Sequence, residues 1–416
     1  MKSFKIGIIG MGYVGLPLAL ELGKKFRVIG YDKKKIRVKD LKNKIDQNNE
    51  HSKIEFFNKN VKFTNNELDL KECNFYIVCV PTPVTKNLKP DLRPIKSACD
   101  IVSKYINFNE TVVFESTVYP GLIEEYCVKI IEKKSKIPMS NNKISGFHVG
   151  YSPERVNPGD KVHTLKNIKK VISSNSKQGE KNIKNIYSKI IKSGIFIAKS
   201  IKVAETAKVL ENVQRDVNIA LMNELSSVCN LLKINTYDVL NAASTKWNFL
   251  RFYPGFVGGH CVSVDPYYLI YKSKKIGHEP KLIISARKIN SSMIKILKKR
   301  LSKFIKLKNR KILIMGATFK ENCADFRNSL SIKLAKELDI ENDIYLYDPY
   351  FNSKRRFNDI KILKKISKIK YDIIIIAVAH KEFKLFNANY LSSLIKKDGI
   401  IFDLKNFYKN KNFHTL

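Results

Sequence analysis

Short β-branched or aromatic runs alternate with amphipathic stretches along the first half of the chain, the pattern of a doubly wound α/β sheet. FKIGIIG (4–10), RVIGYD (27–32), FYIVCV (75–80) and TVVFEST (111–117) read as parallel strands. They give way to residues such as Gly, Pro or Thr, where loops at the carboxyl edge of such a sheet carry binding groups. FHVGYSPERVNPG (147–159) and KKVISS (169–174) extend this unit. The middle of the chain changes period. From about Lys202 to Leu232 there is no proline or glycine, and apolar residues recur at helical spacing (Val203, Ala207, Leu210, Val213, Val217). This predicts one helix of roughly 30 residues, about 45 Å long at 1.5 Å per residue, long enough to bridge two domains and to supply a dimer face. TYDVLNAAS and EPKLIISARKINSSMIKILKKRLSKFI continue the helical pattern, and a second α/β unit opens at RKILIMGATFKENCADFRNS (310–329), with strands at 343–349, 371–378 and 400–404. The expected fold class is α/β: two doubly wound domains joined by a helical central domain with a long bridging helix, divided as 1–199, 200–305 and 306–416.

A chain of 416 residues with 44% hydrophobic content exceeds one ordinary core and excludes wholesale disorder. The opening MKSFKIGIIGMGYVG is a strand followed by a glycine loop and lacks the apolar stretch and cleavage site of a signal peptide. No window approaches the ~20 apolar residues of a membrane span, so a cytoplasmic protein is expected. Seven scattered cysteines form no Cys-x-x-Cys pair or Cys/His cluster, which points away from a metal or a disulfide framework. The net charge of +39 raises the question of nucleic acid. Yet only 12 of the 77 basic residues are arginine, the lysines are spread along the whole chain, and stacking platforms are absent. No specific nucleic-acid partner is expected; an anionic substrate or a loose affinity for acidic lipids fits the charge equally well.

GIIGMGYVG places Gly10-x-Gly12-x-x-Gly15 between a strand and a helical pattern, the Rossmann-like arrangement for a dinucleotide. The first glycine permits the tight turn, the second lets the backbone approach a pyrophosphate, and the third lets helix and strand pack closely. Backbone N–H groups from Gly10 through Tyr13, Val14 and Gly15 open the helix and face the diphosphate charge. Asp32 ends the next strand, where a carboxylate accepts from the ribose 2′-hydroxyl and repels a 2′-phosphate; NAD is favoured over NADP. Thr82 lies in the stiff VPTPV edge, and Ser116 and Thr117 end another strand in ESTVYPG. Glu154 and Arg155 sit in a proline-bounded turn, readable as a surface ion pair or as an acid/base carboxylate beside a substrate-binding arginine. Lys208, Asn212 and Arg215, spaced i, i+4, i+7, project from one helix face, as a solvated stripe or the lining of a cleft.

Cys261 lies in GGHCVSVDPYYL. Gly258 and Gly259 allow close approach to a ligand, and Asp265 is a turn away if a helix begins near the cysteine. A helix start or a facing lysine lowers a thiol's pKa and favours the nucleophilic thiolate. His260, adjacent in sequence, is not expected to be the activating base.

Together these motifs resemble the UDP-glucose/GDP-mannose dehydrogenase family, through the glycine fingerprint with Asp32, PTP (81–83), ESTVYPG, SPERVNPG, Lys208-x-x-x-Asn212, GGHCVSVDPYYL and GATFKENCADFRNS. The SPER and GGHC forms look most like the branch acting on UDP-N-acetylhexosamines, and STKWNFLRFYPG lacks the His-Pro-Arg segment typical of the UDP-N-acetylmannosamine enzymes. The resemblance implies oxidation of the C6 alcohol of UDP-N-acetylglucosamine to the uronic acid with two NAD⁺ and no free aldehyde, for capsule or O-antigen polysaccharide. UDP-N-acetylgalactosamine and UDP-glucose are alternative substrates; a basic, non-catalytic nucleotide- or nucleic-acid-binding protein is the alternative of a different class. By the same resemblance Cys261 is the nucleophile. Lys208 and Asn212 stabilise developing oxygen charge, Asp265 and Thr117 hold water, and Glu154 serves acid/base steps. Asp32, Arg37, Thr82, Thr117 and Arg327 are the implied NAD contacts. Arg155, Val156, Lys208, Asn212, Arg215, Gly258 and Lys320 are the implied UDP-sugar contacts, with Arg251 and Tyr253 reaching the sugar or a neighbouring subunit. A homodimer through the long helix is expected.

Overall fold

The computed structural model describes residues 4–47, 51–141, 143–156, 160, 162–351 and 360–416. The chain packs as two compact units, Met1–Glu211 with Tyr267–His278, and Asn212–Pro266 with Glu279–Leu416.

The first unit is built on an eight-stranded sheet of β1 (Lys5–Ile9), β2 (Arg27–Tyr31), β3 (Val61–Thr64), β4 (Phe75–Val78), β5 (Thr111–Phe114), β6 (His148–Tyr151), β7 (Lys170–Ser174) and β8 (Ile195–Ile197), in the order β3-β2-β1-β4-β5-β6-β7-β8. All neighbours are parallel except β6 and β7. The chain reverses its direction of travel across the sheet between β1 and β4, where loops from both carboxyl ends open a ligand crevice. Ile6, Ile8, Phe75, Ile77 and Val113 form one continuous core with Leu16, Leu18 and Leu20 of the helix Gly15–Leu22 and with Ile183 and Ile186 of the helix Lys177–Tyr187.

The second unit repeats the plan with β9 (Lys311–Met315), β10 (Asp343–Tyr347), β11 (Lys361–Leu363), β12 (Tyr371–Ile376) and β13 (Ile395–Asp403), ordered β11-β10-β9-β12-β13 and parallel throughout. Successive strand residues face opposite sides. Ile312, Ile314, Ile373 and Ile375 join Leu297 and Leu334 in one core. Their neighbours Leu313, Met315, Ile374 and Ile376 join Phe383 and Leu391 in another. A sheet covered on both faces explains the unbroken apolar runs ILIM (312–315) and IIII (373–376).

The predicted long helix spans Ile201–Leu232, and its residues are shared between the two units. Thr236–Ala243 and Lys281–Leu301 realise the other helical patterns. Among the described residues no helix is long and apolar enough to cross a membrane, and no group of His, Cys, Asp and Glu could hold a metal ion.

Candidate active site

Gly10 follows β1 at φ +101°, and a Cβ there would stand 2.7 Å from the carbonyl oxygen of Cys79. Its N–H donates to Tyr31 O at 2.8 Å. At Gly15 a Cβ would stand 1.9 Å from Gly10 O, so only glycine lets the helix start this close to the turn. At Gly12 a Cβ meets nothing within 4 Å, which leaves the outer face of the turn open. Tyr13 and Val14 are half-buried between them. Asp32 Oδ2 accepts the Met11 N–H at 3.0 Å and Oδ1 accepts the Lys34 N–H at 2.9 Å, so the carboxylate ties the turn to the end of β2. Buried Arg37 donates from Nε to Met11 O at 2.9 Å and pairs with Asp46 at 3.1 Å, while its Nη2 has no hydrogen-bond partner among the described residues. An open glycine turn, a carboxylate at the end of β2 and an unsatisfied guanidinium nitrogen fit the diphosphate and ribose of a dinucleotide.

Across the crevice Thr82 is half-buried, and its carbonyl accepts the Tyr268 hydroxyl at 2.9 Å. Ser116 donates to Val80 O at 2.7 Å and holds the half-buried Thr117 beside that edge. The loop ends on Glu205, which the sequence did not single out. This fully buried carboxylate of the long helix accepts the N–H groups of Gly121 (2.5 Å) and Ile123 (3.0 Å). Burial pushes its pKa up to about 7, against the pull of those two donors. The folded state therefore favours the protonated acid, and stability falls as pH rises from the ordinary glutamate range through 7, by up to about 3 kcal/mol. Glu205→Gln stays neutral at every pH. The stability difference between it and the wild type, read from urea midpoints, is expected to move in the variant's favour between pH 5 and pH 8; a pH-independent difference would contradict this.

Glu154 follows β6, half-buried. Its Oε1 accepts the N–H groups of Arg155 and Val156 at 2.7 and 2.6 Å, and its Oε2 lies 3.5 Å from Lys170 Nζ. Arg155, exposed, pairs with Glu211 at 2.7 Å rather than with Glu154, and Val156 packs on the core. The rest of the motif, Asn157 to Gly159, lies outside the described residues. On the long helix Lys208 is only 8% exposed, so it is no solvated stripe residue, and no carboxylate of the described residues lies within 4.0 Å of its ammonium. Asn212 Nδ2 donates to Asp265 Oδ2 at 2.5 Å, whereas Arg215 is exposed.

Six of the seven cysteines are buried; Cys261 is half-exposed. Burial pushes the Cys73 thiol up to about 12 and raises those of Cys79 and Cys323, which silences them as nucleophiles. Cys261 lies in a turn whose helix, Asp265–Lys275, begins four residues later. Its carbonyl accepts the N–H groups of Val264 (3.0 Å) and Asp265 (2.8 Å), which links the thiol's backbone to the buried aspartate. A Cβ on Gly258 would meet Asn328 O at 2.8 Å, and one on Gly259 (φ +83°) would enter the Phe319 ring. This packing, sealed by Asn328 Nδ2 donating to Gly259 O at 3.0 Å, brings GGHC against the GATFKENCADFRNS loop. There Asp325 grips Arg327 through Nε and Nη2 (3.0 and 2.6 Å), and Arg327 Nη2 approaches His260 Nε2 at 3.3 Å. The ring of His260 is thus turned to this group. Lys320 is half-buried in the same loop, while Arg251 and Tyr253 are exposed, Tyr253 stacking on Tyr237.

The second sheet repeats the first sheet's turn. Gly316 (φ +89°) donates to Tyr347 O at 2.8 Å, and Asp348 Oδ2 accepts the Ala317 and Thr318 N–H groups at 2.6 and 3.1 Å. His380 Nδ1 accepts the Asn322 N–H, so Nε2 carries the proton and donates to Asp348. Asp348 was legible: YLYDP echoes VIGYD of the first unit. His380 and Asp325 carried no such signal.

Residues 4–191, 202–292 and 313–410 match in turn the NAD binding domain, the central domain and the UDP binding domain of the UDP-glucose/GDP-mannose dehydrogenase family. UDP-N-acetyl-D-glucosamine 6-dehydrogenase of Salmonella typhi is 45% identical over 414 residues, 97% of this chain and 96% of that one. Protein CapL of Staphylococcus aureus is 43% identical over 415 residues, 96% and 95% of the two chains. The solved structure of a UDP-D-ManNAc dehydrogenase from Pyrococcus horikoshii matches with a TM-score of 0.86 at 27% identity, covering 99% of this chain and 98% of that one. With three consecutive family domains and relatives above 40% identity along nearly its whole length, the chain belongs to the UDP-glucose/GDP-mannose dehydrogenase family.

Proposed function

We propose that this protein oxidises the C6 alcohol of UDP-N-acetylglucosamine to the uronic acid in two steps without releasing the aldehyde, supplying a capsule or O-antigen polysaccharide in the cytoplasm. The observation that carries the reading is Cys261: the one half-exposed thiol, on a glycine loop packed against Phe319, Asn328 and Arg327 and joined through its backbone to the Asp265–Asn212 pair. The substrate choice is supported by the Salmonella typhi relative and by the absence of His-Pro-Arg before the glycine loop.

Gly10, Gly12, Tyr13, Val14, Gly15, Asp32, Arg37, Thr82, Thr117 and Arg327 would hold NAD⁺, which when bound would supply the hydride acceptor for both oxidations at C6. Lys208 takes the alcohol proton and, with Asn212, stabilises negative charge on the C6 oxygen. The Cys261 thiolate adds to the aldehyde carbon to give a thiohemiacetal, whose oxidation leaves a thioester. Asp265 and Thr117 hold the water that Glu154 deprotonates, and the acid is released. Arg155, Val156, Arg215, Gly258 and Lys320 bind the UDP-sugar, and Arg251 and Tyr253 the sugar or a second subunit. The three parts 1–199, 200–305 and 306–416 divide these tasks as cofactor binding, catalysis with dimerisation, and UDP-sugar binding. A homodimer through the long helix is supported by exposed Leu221, Val228, Leu231 and Leu232 on it and by Trp247 and Leu250 nearby in sequence.

Pure protein given NAD⁺ and a panel of UDP-sugars tests the reading. UDP-N-acetylglucosamine is expected to lead UDP-N-acetylgalactosamine, UDP-glucose and UDP-N-acetylmannosamine in kcat/KM by about tenfold or more. Faster turnover of another sugar would reassign the substrate; salt-sensitive nucleic-acid binding with no NAD⁺ reduction on any of them would favour a binding protein.

A further inference from the structure

Behind Glu154 lies a buried charged cluster that no step above uses. Glu115 directly follows β5, Lys170 opens β7, and Tyr187 ends the helix Lys177–Tyr187; each is 2% exposed or less. Lys170 Nζ stands 2.8 Å from Glu115 Oε2 and 3.5 Å from Glu154 Oε2, and the Tyr187 hydroxyl donates to Glu115 Oε1. One buried carboxylate is enough to neutralise one buried ammonium. Here the ammonium also reaches a second carboxylate, and that one is partly open to solvent.

We propose that Lys170 is a positioning residue for Glu154, holding its carboxylate, together with the Arg155 and Val156 N–H groups, in the one orientation that activates water for thioester hydrolysis. The proposal rests on the reading of Glu154 given above. Oε1 is fixed by two backbone donors and Oε2 by the ammonium, so the side chain is restrained from both ends while its remaining lone pairs stay available. Burial works against the charge on Lys170, but Glu115 and Glu154 outweigh it and hold its pKa above the ordinary lysine value. The other titratable groups facing the ammonium, Tyr187 and the Cys79 thiol, are pushed up by burial and stay neutral. Arg155 is engaged with Glu211 and Lys169 O, so among these groups Lys170 is the cation committed to Glu154.

In the step concerned, water oxygen bonds to the thioester carbonyl carbon as its proton passes to Glu154. The tetrahedral adduct then collapses, the C–S bond breaks, the Cys261 sulfur leaves as thiolate, and the sugar keeps the carboxyl group. No electrons are exchanged, and the proton leaves Glu154 for solvent.

The test compares Lys170→Met, Lys170→Arg and the double variant Lys170→Met/Glu115→Gln with wild type, using NAD⁺ and UDP-N-acetylglucosamine. The double variant keeps the cluster's net charge at the wild-type value, so it decides the matter if the single methionine variant does not fold. Without Lys170 the first turnover is expected to release two NADH per site, while steady-state turnover falls about tenfold or more. The acyl group then accumulates on Cys261, visible as a mass adduct after acid quench, and the acid limb of the kcat profile moves up by about one pH unit. Lys170→Arg retains the wild-type limb. A folded double variant with wild-type turnover, an unshifted limb and no adduct overturns the proposal. Wild-type protein that reduces no NAD⁺ with any UDP-sugar instead sinks the function on which it rests.

Discussion

A Cys261→Ala variant is expected to bind NAD⁺ and UDP-N-acetylglucosamine yet to form uronic acid on the order of a thousandfold more slowly, or not at all. The second oxidation needs a tetrahedral carbon carrying a hydrogen, and without a thiolate the aldehyde has only its slower hydration by water to provide one. No other thiol can substitute. Cys73, Cys79, Cys127 and Cys323 are buried with their pKa values raised, and Cys99 and Cys229 are buried as well. The replacement is expected to leave the fold intact, because Cys261 is half-exposed and its backbone carbonyl, which the variant keeps, holds Val264 and Asp265. Acid production and folding thus separate cleanly in quenched-flow product analysis and thermal melts. Undiminished acid from a well-folded variant would remove Cys261 from the chemistry.

The second large effect lies at the glycine turn. Gly15→Ala places a methyl group 1.9 Å from Gly10 O, and Gly10 cannot retreat, since it is fixed by its bond to Tyr31 O and backed by the Cys79 carbonyl. The helix Gly15–Leu22 must move instead, but Leu16, Leu18, Ala19, Leu20 and Leu22 anchor it in the core. Overpacking of this kind costs about 1–3 kcal/mol or more, and the displaced N–H groups no longer converge on a diphosphate. NAD⁺ affinity is expected to fall about a hundredfold, near 3 kcal/mol, together with a lower melting temperature. Gly12→Ala is the control: its methyl group meets nothing in the protein, so it weakens NAD⁺ binding while stability stays near wild type. NADH fluorescence titration with melting curves reads both. Equal stability of the two variants would refute the packing argument.

How far the sequence carried depended on how much of each element's burial is local. The central strands were visible because a sheet covered on both faces demands unbroken apolar runs, and the long helix because 32 residues offer no breaker. The strands Val61–Thr64, Ile195–Ile197 and Lys361–Leu363 went unseen: they are three or four residues long, lie at sheet edges and are partly exposed, so no periodicity marks them. The same division holds at the site. Gly10, Gly12, Gly15 and Cys261 lie in contiguous motifs whose geometry is dictated within a few residues. Glu205, Asp325, His380 and the Glu115–Lys170 pair act across separations of 32 to 84 residues or through a partner two residues away whose importance only the fold reveals. A lone glutamate on an amphipathic helix carries no mark that two backbone N–H groups will meet it. Sequence also suggested a helix start near Cys261; the helix begins at Asp265, and a turn joins the two.

The claim on which the rest depends is that one sulfur carries the half-oxidised sugar between two hydride losses. It is tested most directly by counting NADH against UDP-N-acetylglucosamine consumed, in the presence of an aldehyde trap such as hydroxylamine. Two NADH for each sugar, with no trapped aldehyde, is the predicted result. One NADH for each sugar, with the aldehyde recovered as its oxime, would contradict it.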